Sequence, residues 1–140
     1  LSQSGGYAKL RTWIGDALME KGRVSEALKS YTVAVEEDDS NVVVLNNLAW
    51  QLAAHPDMNV RDGKLAVRWA EKAADLTKHG DPSVLDTLAA AYAESGDFKK
   101  ATETAERAAE LARAQGNREL LDSVQEGLSK YRSGKAYVSP

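Results

Sequence analysis

Only two histidines, His55 and His79, occur among the 140 residues, and there is no cysteine. Without cysteine there are no disulfides, no thiolate metal sites and no thiol nucleophiles. A metal site would need further ligands at defined spacing around an imidazole, and neither histidine has them. His55 sits in a run of turn formers. His79 ends a helical pattern, a position where histidine is favoured. Both read as exposed turn residues. The carboxylate pairs Glu36-Glu37 and Asp38-Asp39 have the composition needed for general acid and base work, but a run like this closing a helical segment is the pattern of a solvated terminus. Lys64, Arg68, Lys72 and Lys78 follow one helical segment, yet they alternate with acids and lack the aromatics that stack bases. No phosphate-cradling Gly-rich loop, G-x-S-x-G elbow or H-E-x-x-H motif is present. No catalytic residue, metal or cofactor is expected, so the chain reads as a non-enzyme. Trp13, Trp50 and Trp69 are the large side chains still to be placed.

The elements that would position them are helices. The hydrophobic fraction is 43% and the charged fraction 28%, a balance suited to a folded domain and not to a disordered one. A net charge of -3 gives no overall basic field for nucleic acid or anionic lipid. No apolar run approaches the roughly 20 residues that span a bilayer, and no signal-peptide pattern appears. The compartment stays open between cytoplasm and periplasm. Val42-Val43-Val44-Leu45 is the only β-branched run, and Leu48, Ala49 and Leu52 continue it at helical spacing. The helices expected are 7–21, 24–37, 41–54, 62–78, 82–95 and 98–115, with a seventh at about 117–133. Gly22 and Gly96 suit left-handed helix caps. Ser25 or Asp97 can start the following helices, and Asp81-Pro82 is a helix start.

These helices repeat. Ala27, Ala66 and Ala101 each open a small–large–small pattern. Before each lies an apolar–small pair: Ile14-Gly15, Leu48-Ala49 and Leu88-Ala89. Gly15 to Ala49 is 34 residues, and both Gly15 to Ala27 and Ala89 to Ala101 are 12. Ala49 to Ala66 is 17, so the middle unit carries 5 extra residues within the turn-rich run His55–Gly63. Over roughly residues 7 to 115 this resembles the signature of the tetratricopeptide repeat (TPR), W-x-x-L-G-x-x-Y followed by A-x-x-x-F, on a period of about 34 residues. The resemblance implies an all-α solenoid of three antiparallel helix pairs in a right-handed superhelix. The repeats would span about 7–40, 41–80 and 81–116. Small residues at Gly15, Ala49, Ala89, Ala27, Ala66 and Ala101 would let the helices approach closely. The stripe Leu120, Leu121, Val124, Leu128 and Tyr131 implies a capping helix at 117–133, contributing stability and not recognition. Residues 1–6 are expected to be a linker and 134–140 a flexible tail. The chain starts at Leu1 without an initiator methionine, which suggests a fragment with further repeats before it.

In such arrays the first helix of each pair lines a concave groove that is the usual ligand site. Carried over, the groove positions are Lys9, Thr12, Trp13, Asp16, Met19 and Glu20; Val43, Asn46, Asn47, Trp50, Ala53 and Ala54; and Ser83, Asp86, Thr87, Ala90, Ala93 and Glu94. Trp13 and Trp50 would either pack between adjacent first helices or act as binding anchors. Trp69, on a second helix, would pack between repeats. One TPR subgroup grips the C-terminal carboxylate of chaperone tails with a clamp of lysine, asparagine and arginine side chains. Of its five positions only Asn47 matches here; Thr12, Asp16, Ser83 and Thr87 hold the others. A carboxylate bound there would be desolvated and unpaired. With Asp16, Glu20, Asp86 and Glu94 the groove should be acidic, with Lys9 at one margin. The expected function is a protein–protein interaction scaffold for a basic, apolar peptide and not for a chaperone tail. No nucleic acid and no membrane insertion is expected. The alternative is a structural module that self-associates or docks within a larger multi-repeat protein or enzyme.

Overall fold

The computed structural model describes residues 2–140 and contains seven helices with no strand among them. They are α1 (Ser2–Glu20), α2 (Val24–Glu37), α3 (Val42–Ala54), α4 (Gly63–Leu76), α5 (Pro82–Glu94), α6 (Phe98–Ala114) and α7 (Arg118–Arg132). The first residue of the expected linker, Leu1, lies outside the described residues. Residues 2–6 of that linker belong to α1. The glycines there lower helix propensity by about 1 kcal/mol each relative to alanine, but nothing in the segment blocks the helix as proline would. Asparagine and aspartate side chains set most helix starts. Asn41 accepts from the Val44 N–H, Asp62 from Leu65, Asp97 from Lys100 and Asn117 from Leu120. Asp81 caps α5 with Pro82 behind it. Ser25 caps nothing: α2 begins one residue earlier, and Arg23 stands at its N-cap without a side-chain bond. Gly22 and Gly96 take the left-handed conformation that stops α1 and α5, at φ 75° and 93°.

The helices pack as successive pairs, α1 on α2, α3 on α4 and α5 on α6, with α7 laid on α6. Small residues make this possible. Ala27, Ala49, Ala66, Ala89 and Ala101 are fully buried. A Cβ placed on Gly15 would stand 2.6 Å from the Tyr31 ring. Gly63, at the start of α4, lies so close to the end of α5 that a Cβ would meet the Ser95 nitrogen at 2.6 Å. One continuous core runs from Leu28 and Val35 through Leu45, Leu48 and Trp69 to Val124 and Tyr131. Trp69 is buried on α4, with the Arg68 guanidinium 4.6 Å from its ring centroid. The first pair is docked more lightly: among the described residues α3 packs on α5, but α1 packs substantially only on α2. No helix among them is long and apolar enough to cross a membrane.

The segment after α7 meets α3. Tyr137 stacks obliquely on Trp50, ring centroids 5.7 Å apart, and the Ser139 N–H donates to the Ala54 carbonyl at 2.7 Å. The apolar groups of Ala136 and Tyr137 provide the reason, since they pack on the buried cluster.

Candidate functional site

Side chains from five helices converge on one open cleft of about 440 Å³. α1 brings Asp16 and Met19, α3 brings Asn46, Asn47, Trp50 and Gln51, and α5 brings Ser83, Asp86 and Thr87. Tyr31 enters from α2 and Ser123 from α7. Eight of the groove positions named from sequence thus share one space: Asp16, Met19, Asn46, Asn47, Trp50, Ser83, Asp86 and Thr87. Thr12, Trp13, Glu20, Ala90 and Glu94 do not line it. The Thr12 hydroxyl donates to the Ala8 carbonyl of its own helix. Trp13 is 62% exposed and is not among the residues that line the cleft. Glu20 is exposed at the end of α1, and Ala90 is buried inside the stack. Glu94 is engaged by the Arg61 guanidinium at 3.3 Å, and Arg61 also donates to the His55 carbonyl. The acidity expected at that end is offset by a cation from the inserted loop, whose fold the repeat pattern does not encode.

Two acceptors in the cleft lack partners of their own. Asp86 is only 9% exposed, and burial alone pushes its pKa up to about 7, with neither a hydrogen bond nor a counter-ion to offset it. Asn46 Oδ1 is buried and has no hydrogen-bond partner within the protein. No lysine or arginine lines the cleft. Asp16 differs from Asp86: its Oδ1 accepts the Tyr31 hydroxyl at 2.6 Å, a bond joining α1 to α2. That bond and burial hold the Tyr31 phenol protonated well above its ordinary range, burial being the larger cause. The cleft is therefore an acceptor-rich surface with an aromatic wall, suited to donors and to cations. Tyr31, Gln51 and Ser123 escaped sequence reasoning. Tyr31 lies on a second helix, and Ser123 lies on the capping helix, which had been assigned no part in recognition. Elsewhere, His55 Nδ1 accepts from the Asp57 N–H and His79 meets Asp75 at 3.1 Å, both exposed turn contacts. No cluster able to hold a metal occurs among the described residues.

Residues 84–119, covering α5, α6 and the start of α7, match the family model of the tetratricopeptide repeat. The fold is that of a TPR domain. Solved structures similar to it include the first TPR of Spaghetti (RPAP3) bound to the HSP90 peptide SRMEEVD. That match has a TM-score of 0.63 and 20% identity, covering 89% of this chain and 95% of the other. The N-terminal domain of stress-induced protein-1 (STI-1) from C. elegans matches at TM-score 0.63 and 21% identity, over 88% and 95% of the two chains. Likeness at such identity is likeness of fold. No curated protein matches the chain. In this fold the cleft lies on the first helix of each pair: α1, α3 and α5 provide nine of its eleven lining residues. The clamp positions named from sequence, apart from Thr12, fall on it as Asp16, Asn47, Ser83 and Thr87.

Proposed function

We propose that the domain is a peptide-binding scaffold whose concave cleft takes an extended segment carrying a cationic side chain beside apolar ones. The single observation that carries this reading is the buried, unpartnered carboxylate of Asp86 facing a cleft without a cation. A lysine or arginine from the ligand would supply the missing counter-charge and donors. Asn46 and Asn47 can exchange hydrogen bonds with a peptide backbone whatever its sequence, and Trp50 offers apolar surface. An acidic C-terminal tail of the kind bound in the Spaghetti structure would bring a carboxylate against Asp16 and Asp86, with no cation to receive it. The test is a titration of basic and acidic peptides against the wild type, Asp86→Asn, and the double reversal of Asp16 and Asp86 to lysine. Basic peptides should bind, Asp86→Asn should cost tenfold or more, as expected for a charged hydrogen bond of about 1.5–3 kcal/mol, and the reversal should abolish binding. Preference for acidic peptides by the wild type would remove this reading.

A second reading, self-association, is favoured by a different surface. Tyr7, Leu10, Trp13 and Ile14 are all exposed at helical spacing on α1. Contiguous apolar surface of this kind is uncommon on monomers. Sedimentation at rising concentration decides it: a monomer throughout would eliminate this alternative.

A further inference from the structure

We propose that residues 134–140 are a resident, displaceable occupant of the concave face. The seat they mark accepts an extended segment that presents an aromatic ring to Trp50 and, two residues on, a backbone N–H to the Ala54 carbonyl. This rests on the concave face being a peptide site. α7 closes with bonds from the Gly134 and Lys135 N–H groups to the carbonyls of Tyr131 and Lys130, and Gly134 turns left-handed at φ 71°. The chain then reaches α3, where the Tyr137 ring tilts 42° to Trp50 and the Ser139 N–H meets the Ala54 carbonyl. Ala54 is the last residue of α3. Its carbonyl has no partner within the helix and needs a donor from elsewhere. A backbone N–H satisfies it irrespective of side chain, so the seat reads the aromatic residue and the extended shape.

The seat adjoins the cleft. Trp50 belongs to both. Asp86 lines the cleft and is close enough to the Tyr137 phenol to help hold it protonated, after burial and Glu126. The tail also has the chemistry proposed for a ligand, with Lys135 beside Ala136, Tyr137 and Val138. The apolar packing of Ala136 and Tyr137, with its contact to Trp50, and one backbone bond hold it, against the conformational freedom regained on release. Being tethered, it competes at high effective concentration with any segment arriving from solution.

The experiment uses the full chain. Tyr137→Ala with Ser139→Pro removes the ring and the donor from the tail and leaves the seat intact; circular dichroism verifies that the helices persist. A fluorescent synthetic peptide spanning Gly134–Pro140 is then titrated into the wild type and the double variant. The variant should bind saturably and about tenfold more tightly, the factor expected if the tail is seated nine-tenths of the time. Adding Trp50→Ala should abolish that binding. Equal binding to wild type and variant, or none to either, overturns the proposal. A basic peptide run alongside separates the two ideas. If it binds both proteins equally and loses affinity with Asp86→Asn, the groove reading survives without the resident tail. If only the tail peptide binds, the seat stands and the preference for cations fails.

Discussion

The first and third helix pairs are built from the same pattern and end in opposite circumstances. α5 is enclosed by α3, α4, α6 and α7, and every residue from Val84 to Ala91 is buried. α1 is packed substantially against α2 alone, and Tyr7, Leu10, Trp13 and Ile14 face outward. α5 is the more apolar of the two helices, and its position in the stack also encloses it. A solenoid helix gains stability from its neighbours more than from its own residues. It can be enclosed on all sides only if it is thin, and α5 is thin because it is rich in alanine. α1 carries large apolar groups, and no described helix covers them.

The contrast can be broken most severely at the C-terminal end. Truncation after Gln115 removes Val124, Leu128 and Tyr131 from the core, each worth about 1.5–3 kcal/mol of burial before entropy. The product should lose much of its melting temperature or aggregate, whereas an unchanged, monomeric product would contradict the capping role. Next in size, Ala89→Leu or Ala101→Leu forces extra methylenes into filled space at a cost of about 1–3 kcal/mol. Thermal melts should show that loss, and little for Met58→Ala in the exposed loop.

Asp86→Asn is expected to change the pH dependence of stability. Unfolded, its carboxyl ionises near pH 3.9; folded, at about 7. Below pH 4 both states are protonated and the site carries no charge penalty. From there to pH 7 only the unfolded chain loses its proton, so stability falls as pH rises. Denaturant melts should find the asparagine variant more stable than the wild type at pH 8, with the gap closing towards pH 4. The smallest effect belongs to the first pair. Gly15→Ala crowds the partly buried Tyr31 ring, and moving that ring aside would strain its bond to Asp16 without disturbing the buried stack. It should lower the melting temperature less than Ala89→Leu does. A larger loss would mean that the first pair is locked as firmly as the last.

The spacing of small residues made the repeat and the helix borders legible, because close packing leaves only glycine or alanine at those positions. Cleft residues on α1, α3 and α5 followed from the same register. The fates of Glu94 and the tail did not. Arg61 reaches Glu94 from an insertion outside the repeat period, and Tyr137 finds Trp50 across some 87 residues of sequence. Contacts of that kind depend on three-dimensional proximity, and periodicity carries no information about them. The apolar pair Tyr137-Val138 in an otherwise polar tail was the one available signal. The burial of Asp86 was similarly hidden, since its position in the register names a groove residue but not the depth at which the carboxylate sits.

That depth has a consequence for calorimetry. Near pH 7 about half of the Asp86 carboxyls still hold a proton, and a ligand ammonium or guanidinium would pair with the ionised form. Each binding event at that pH would therefore expel roughly half a proton into the buffer. The heat measured in phosphate and in Tris should differ in proportion to what each buffer absorbs on protonation, and the difference should vanish in Asp86→Asn. A ligand seated elsewhere would produce the same heat in both buffers.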